Sequence, residues 1–272
     1  MTHGSPLTRR EILAAIGGVG LLAAGPRVAG ALGSDPSFTQ YTYAQTSGPD
    51  LRVAWYERYN GVLQEESNLF SDGPPLTNSS DAFNQSGDAG RFVDVTGTDA
   101  VATGPVLSIP NAQPGDEGLL LIGLRAEDAA ARVWLSVSAY DFAENSLVEP
   151  ERAEGDTDDE GELQDYVDVE CWYDTGRLGV GGCNGERDFT EEAVVAAGTL
   201  AEVSDALTGG VPLDFGLVGD ACIEADTQRC LALRWRIDPA VTNVIQSDSA
   251  SLDIAFAATT CDDATNPFGG ER

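Results

Sequence analysis

Alternating apolar and polar residues run through several segments of the chain and predict β-strands. The clearest of these segments lie at residues 132–139, 167–173, 231–237 and 251–258. In the first of them, Val133, Leu135 and Val137 would share one face, because successive side chains of a strand point to opposite sides of the sheet. A period of two with one polar face is typical of antiparallel strands that cover a shared core.

Further apolar runs predict more strands, at residues 51–59, 91–95, 106–109 and 119–124. One helix is predicted to begin near Thr190 and to end at Gly209. Its apolar face would consist of Leu200, Val203, Ala206 and Leu207. The fold class predicted from these elements is all-β: a two-sheet antiparallel jelly-roll-like sandwich with one short helix and long acidic loops.

The N-terminal residues carry the pattern of an export signal. A twin arginine, Arg9 and Arg10, precedes a glycine-rich apolar stretch that is shorter than the roughly 20 residues needed to span a bilayer. We therefore predict secretion to the cell surface or medium, by the twin-arginine or the general route, with an uncleaved anchor as the alternative. The predicted organisation is an export signal at 1–33, an extended segment at 34–50, one sandwich domain at 51–262 and a tail at 263–272.

The chain is strongly acidic, which limits its partners and its environment. It carries 45 acidic residues against 15 basic ones, all of them arginine, for a net charge of −30. Such self-repulsion destabilises a compact state at low salt, whereas salt near 1 M shortens the Debye length to about 3 Å. A salt-loving source is therefore predicted, with an anion-repelling or cation-binding role as the alternative. Nucleic acids and anionic membrane surfaces are excluded as partners at low salt.

Catalytic motifs are missing from the sequence. The single histidine is His3, which would leave with the export signal, so nucleophiles activated by histidine and histidine-based metal sites are excluded from the mature chain. Phosphate-binding glycine loops are absent as well. The sequence therefore assigns no catalytic residue, no cofactor and no small-molecule substrate, and we predict that the protein is not an enzyme. A hydrolase that uses a carboxylate pair remains as a third hypothesis.

Two segments resemble loop insertions in the predicted sandwich. Residues 60–90 are rich in Asn, Ser, Asp and Gly, and Asn78 and Asn84 begin glycosylation sequons there. Residues 149–165 are strongly acidic with little apolar content, which favours a solvated loop.

A calcium-binding loop is the alternative interpretation of the second segment. Asp156, Asp158 and Glu160 mimic the first ligands of such a loop, but its twelfth position is Val167 where a glutamate is required. The sequence therefore assigns no metal ligand, and calcium binding in this loop stays an alternative.

Five cysteines in an exported chain predict disulfides and one unpaired thiol. Spacing favours Cys222 with Cys230 and Cys171 with Cys183, because each pair brackets a short loop. Cys261 is then the unpaired residue, either buried and inert or able to cross-link subunits. Zinc is a poor alternative, since no histidine and no paired CxxC motif accompany these thiols.

Three segments of the chain carry a family resemblance: residues 230–261, Val106–Ile109 and the turn at Pro114-Gly115-Asp116. In these segments the chain resembles the TasA/camelysin family of secreted surface proteins, which has haloarchaeal relatives. The resemblance extends over about residues 100–261 and consists mainly of Trp235, Pro239, Asn243, Gln246, Asp248, Ser249 and Phe256. It implies jelly-roll subunits of extracellular fibres, in which the N-terminal strand of one subunit completes a sheet of the next. Protease activity, described for some members, is not expected without a histidine in the mature chain.

The segment after the predicted signal is suited to such a role, because residues 37–44 are uncharged, aromatic and β-prone. Such a strand, added to a neighbour's open edge, would pair exposed backbone groups. The candidate donor strand consists of Phe38, Thr39, Gln40, Tyr41, Thr42 and Tyr43. Alternatively, the segment forms the first strand of its own sandwich or a frayed terminus.

The leading hypothesis is thus an exported, non-enzymatic filament or biofilm-matrix subunit that self-associates into a homopolymer. The alternative is a monomeric binding module whose loops at 60–90 and 149–165 recognise a glycan, a cation or a protein.

Overall fold

Two sheets, packed around a shared apolar core, form the fold in a computed structural model of the chain. The structure describes residues 42–43, 49–63, 93–94, 106–109, 112–157, 160–177, 180–187, 193–216 and 221–269, all within one compact unit, Pro36–Arg272. Arg9, Arg10, Asn78, Asn84 and the Phe38–Tyr41 part of the candidate donor strand lie outside these residues.

Fifteen strands and three short helices make up the described part of the chain. The strands are β1 (Thr42–Tyr43), β2 (Leu51–Tyr59), β3 (Val62–Leu63), β4 (Val93–Asp94), β5 (Val106–Ile109), β6 (Glu117–Ala126), β7 (Ala131–Ala143), β8 (Val167–Tyr173), β9 (Gly176–Arg177), β10 (Val180–Gly181), β11 (Val194–Thr199), β12 (Val211–Pro212), β13 (Cys222–Ile223), β14 (Thr227–Ile237) and β15 (Ser249–Thr260). The helices are α1 (Glu149–Glu154), α2 (Leu163–Tyr166) and α3 (Leu200–Leu207), and a 3₁₀ turn spans Asn243–Ile245.

The long strands set the order of the two sheets. In the larger sheet the described strands follow the order β11-β8-β14-β6-β2-β3, and β4 also pairs with β2. In the smaller sheet β15 and β7 are the central pair, with β1 and β5 beside β15, and β12 and β13 beside β7. All described pairs are antiparallel except β1 with β15, which is parallel. The prediction of an all-β, two-sheet antiparallel sandwich is confirmed.

The inward faces of the strands follow the predicted alternation. Along β15, Ala250, Leu252, Ile254 and Phe256 are at most 1% exposed. The same holds for Leu231, Leu233, Trp235 and Ile237 of β14, which are at most 2% exposed. Strand β7 is buried on its other face as well, at Trp134 and Ser136, which the alternation alone did not predict. The Ser136 hydroxyl donates to the carbonyl of Thr208, just after α3, over 3.2 Å.

A tight hairpin and the PGD turn meet at one end of the larger sheet. Asn60 and Gly61 connect β2 to β3, and both have positive φ, which a two-residue hairpin of type I′ requires. The side chain of Asn60 donates to Asp116 over 2.8 Å, and Tyr59 Oη donates to the same carboxylate over 2.5 Å. Burial, and then Asp116, raise the pKa of Tyr59. These contacts give the PGD turn a structural role.

The helices differ from the prediction in number and position. The predicted helix begins at Leu200 instead of near Thr190, and the residues before it form β11. The start is fixed by a capping box, in which Thr199 Oγ1 accepts from the Glu202 N–H and the Glu202 carboxylate accepts from the Thr199 N–H. Two further helices, α1 and α2, lie in the acidic stretch predicted as solvated loop. That prediction was wrong for Glu151 and Leu163, which are 0% exposed.

The predicted disulfide pairs were also wrong. The structure joins Cys183 to Cys230 and Cys222 to Cys261, which leaves Cys171 as the free, buried cysteine and pairs the residue predicted to be unpaired. The reason is geometric: Cys171 lies on the inward face of β8, so its thiol points into the core. The other four cysteines are joined between separate elements and not across the short loops: Cys183, after β10, bonds to Cys230 within β14, and Cys222 of β13 bonds to Cys261 directly after β15.

The free thiol of Cys171 is expected to be unreactive in the folded protein. Burial raises its pKa to about 12, so it carries no thiolate at neutral pH, and it is 3% exposed. We expect iodoacetamide to label none of the native chain and to label Cys171 once urea unfolds it without reductant. Peptide mapping identifies the labelled residue, and labelling of Cys261 under these conditions would contradict the observed pairing.

Candidate functional site

Acidic side chains from distant parts of the sequence meet at one end of the smaller sheet. Strands β7 and β15 are neighbours in which Ala143 pairs with Ser249. Glu144 directly follows β7 and Asp248 directly precedes β15, so both carboxylates extend from the same end of this strand pair.

The acidic stretch folds over this end and adds three more carboxylates. Glu151 lies in α1, Asp156 follows it, and Glu162 precedes α2. Gly161 allows the close approach, because a Cβ at this position would lie 2.7 Å from the backbone carbon of Ala143. We call Glu144, Glu151, Asp156, Glu162 and Asp248 the carboxylate cluster.

The cluster consists of two overlapping groups that share Glu144. One carboxylate oxygen from each of Glu144, Glu162 and Asp248 lies within 4.8 Å of the other two. The same spacing holds for Glu144, Glu151 and Asp156. Five carboxylates in such proximity repel one another unless protons or a cation compensate their charge.

Three members of the cluster are fixed by backbone hydrogen bonds through one oxygen each. Glu144 Oε1 accepts from the Ser146 N–H over 2.7 Å, and Glu151 Oε2 accepts from the Val148 N–H over 2.6 Å. Asp248 Oδ2 accepts from the N–H groups of Glu162 and Leu163, over 2.7 Å and 3.0 Å. The local backbone therefore holds these carboxylates in place.

The second oxygen of each of these carboxylates is buried, and no hydrogen-bond donor reaches it among the described residues. These oxygens are Glu144 Oε2, Glu151 Oε1 and Asp248 Oδ1. Glu151 is 0% and Asp248 1% exposed, so bulk solvent does not reach these side chains. When one of Glu144 and Asp248 carries a proton, their side chains can hydrogen-bond to each other; when both are ionised, neither second oxygen has a donor among the described residues. Buried polar atoms without a partner are costly and call for a physical explanation.

The surrounding protein disfavours negative charge on Asp248 and Glu151, the two almost completely buried members of the carboxylate cluster. Burial, opposed in part by the Glu162 N–H and reinforced by Glu144, raises the pKa of Asp248 to about 7. Burial is also the main cause that raises the pKa of Glu151, and the charges of Glu144 and Asp156 add to it. A bound cation would reverse this balance by stabilising the ionised forms.

The predicted calcium motif contributes only in part to this cluster. Asp156 belongs to it, Glu160 is exposed and belongs to neither group, and Asp158 lies outside the described residues. Sequence reasoning missed Glu144, Glu151, Glu162 and Asp248 as potential ligands. The available signal was positional: an acidic residue directly follows one long strand, and another directly precedes the strand that pairs with it.

The candidate donor strand meets the fold at the edge of the smaller sheet. Thr42 pairs with Ala255 and Tyr43 with Phe256, in parallel register. Strand β5 pairs antiparallel with β15 along Ala250–Asp253, directly before this position. Two short strands therefore follow one another beside β15, while β7 pairs with its other side.

Charged residues on the outer face of the larger sheet form a shallow depression that is already neutralised. Glu170 accepts from Arg187 over 2.6 Å and from Arg234 over 3.2 Å, and Arg236 lies 3.5 Å from Asp168. The guanidinium of Arg234 also stacks 5.8 Å from the centre of the Trp172 ring. These contacts are typical of a stabilised protein surface.

No protein-family model fits the chain, and no curated protein matches it. Among the described residues, no helix has the length and apolar character needed to cross a membrane. The two disulfides are compatible with an extracellular protein.

Proposed function

We propose that the protein is an exported, non-enzymatic subunit of an extracellular or cell-surface filament, and that subunits assemble by exchanging strand β1. The observation that carries this proposal is the parallel pairing of Thr42 and Tyr43, the described residues of β1, with the edge of β15. The twin arginine at Arg9 and Arg10 and the resemblance to the TasA/camelysin family support the export and filament parts of the proposal.

Strand β1 is attached to its sheet in a way that permits exchange. The next described strand along the chain, β2, belongs to the larger sheet, so among the described strands no hairpin joins β1 to a neighbour in its own sheet. Parallel pairs need a crossover connection within one chain, but not between chains. A second copy can therefore supply the same strand in the same register.

Exchange costs little enthalpy, because the contacts between copies repeat those within one copy. In the sequence, Gly48 and Pro49 follow the candidate donor strand, and both residue types interrupt regular secondary structure. The net charge of −30 opposes association at low salt. Salt near 1 M screens this repulsion beyond about 3 Å, so assembly is expected in brine.

Cysteine cross-linking between two variants tests the exchange directly. Thr42→Cys and Ala255→Cys chains are mixed, incubated in concentrated NaCl, oxidised and run on a non-reducing gel. Because these positions are register partners, exchange is expected to give a covalent dimer of the two variants. A chain that carries both substitutions is expected to give a ladder of covalent oligomers.

Ser251→Cys is the matched control for Ala255→Cys, since it lies on the same strand but pairs with Ser108 of β5. It is expected to give no dimer with Thr42→Cys. If the doubly substituted chain forms only an internal cross-link and the mixture stays monomeric, strand exchange is wrong and a monomeric binding module is the better description. Negative-stain microscopy of the same samples gives the assembly state.

A further inference from the structure

We propose that the carboxylate cluster binds a divalent cation, Ca²⁺, and thereby fastens the acidic stretch to the ends of β7 and β15. This site goes beyond the proposed filament role and does not depend on strand exchange. The cluster brings five carboxylates together from three separate parts of the chain, in two groups within 4.8 Å that share Glu144.

Proximity of acidic residues is not by itself evidence for a bound cation. The evidence is that two of these carboxylates each have one buried oxygen without a hydrogen-bond donor among the described residues. Glu151 and Asp248 are almost completely buried, and each directs one oxygen into the cluster region without a hydrogen-bond donor. Their other oxygens are already bound to backbone N–H groups, so the side chains cannot turn away without breaking those bonds. When the carboxylates are ionised, a cation gives these oxygens the partner that the described residues do not supply.

The donor set selects a hard cation. All five ligand candidates are carboxylates, and oxygen ligands are typical of Ca²⁺ and Mg²⁺ and not of zinc or copper. Oxygens bound to one Ca²⁺ ion at about 2.4 Å can lie up to about 4.8 Å apart, so the spacing within each group is compatible with one ion. Mg²⁺ requires shorter bonds, near-ideal octahedral geometry and several retained waters, which suits an enclosed carboxylate cluster less well.

The position of the cluster defines what the ion would do. Glu151, Asp156 and Glu162 come from the acidic stretch, whereas Glu144 and Asp248 come from the central strands. The same region is joined by hydrogen bonds from Asn145 to Ser247 and from Ser247 to Ser146, both of 2.7 Å. Binding would therefore stabilise the folded state and order the acidic stretch by removing the repulsion between its carboxylates.

Calcium titration of the full chain tests the site. The protein is passed over chelating resin at a constant NaCl concentration and titrated with CaCl₂ by calorimetry, and thermal unfolding is followed with and without Ca²⁺. We expect saturable binding and a higher Tm, while MgCl₂ binds at least about tenfold more weakly. A Tm increase that an equal rise in ionic strength from NaCl reproduces would overturn the proposal.

Conservative variants locate the ion. Glu144→Gln removes the ligand that both groups share and keeps an oxygen for the Ser146 N–H, so it is expected to weaken Ca²⁺ binding at least about tenfold. Asp248→Asn, which keeps an acceptor for Glu162 and Leu163, is expected to do the same. Glu154→Gln and Asp165→Asn are matched controls, because they remove one exposed charge each from α1 and α2. Equal Ca²⁺ affinity in the cluster variants and the controls would overturn the assignment.

Discussion

Replacing Phe256 by alanine is expected to lower the free energy of unfolding by about 3–5 kcal/mol. The side chain is 0% exposed and is among the largest fully buried ones in the described residues. It lies on β15, where its backbone pairs with Leu135 of β7 and with Tyr43 of β1. The strand is held on both sides, so the cavity can close only in part, and the cost should fall in the upper part of the range for aromatic truncations.

Urea unfolding at constant NaCl measures this loss as a shift of the midpoint at an unchanged slope. Ser251→Ala is the matched control on the same strand. Its side chain is partly exposed and makes only a 3.4 Å contact with the carbonyl of Asp141, so it is expected to change stability by no more than about 0.5 kcal/mol. If both variants have the same midpoint, the inward assignment of Phe256 is wrong.

This strand also illustrates how much of the fold the pattern alone predicts. Alternation along residues 251–258 assigned Leu252, Ile254 and Phe256 to one face, and all three are buried. The period of two works because strand geometry forces successive side chains to opposite sides. The alternation determines which residues face the core, but it does not determine which element covers the outward face of a strand. For that reason the burial of Trp134 and Ser136 on the outward face of β7 was not predicted.

The carboxylate cluster shows the opposite case. Composition marked residues 149–165 as acidic, and acidic stretches in single sequences usually indicate solvated loops. The cluster depends on the pairing of β7 with β15, which places Glu144 and Asp248 at one end of the sheet. Strand pairing between distant segments is a property of the folded chain that local patterns do not encode.

Removing the Cys222–Cys261 disulfide is expected to have an effect of similar size. The bond joins residues that are 39 apart in sequence, and the chain-entropy model gives about 4 kcal/mol for a loop of this length. It links β13 to the residue that follows β15, so it also holds two edges of the central strand pair together. We therefore expect the Cys222→Ala, Cys261→Ala double variant to unfold at a clearly lower urea concentration.

The Cys183–Cys230 pair encloses a loop of 47 residues and provides the comparison. Since closure entropy rises only slowly with loop length, the Cys183→Ala, Cys230→Ala variant should lose nearly the same free energy, again about 4 kcal/mol. Each of these two double variants leaves the other disulfide intact, and peptide mapping without reduction verifies this.

By contrast, Cys222→Ala with Cys230→Ala breaks both bonds in the observed pairing but only one in the pairing predicted from spacing. A loss of stability in this last variant no greater than in the other two would contradict the observed connectivity.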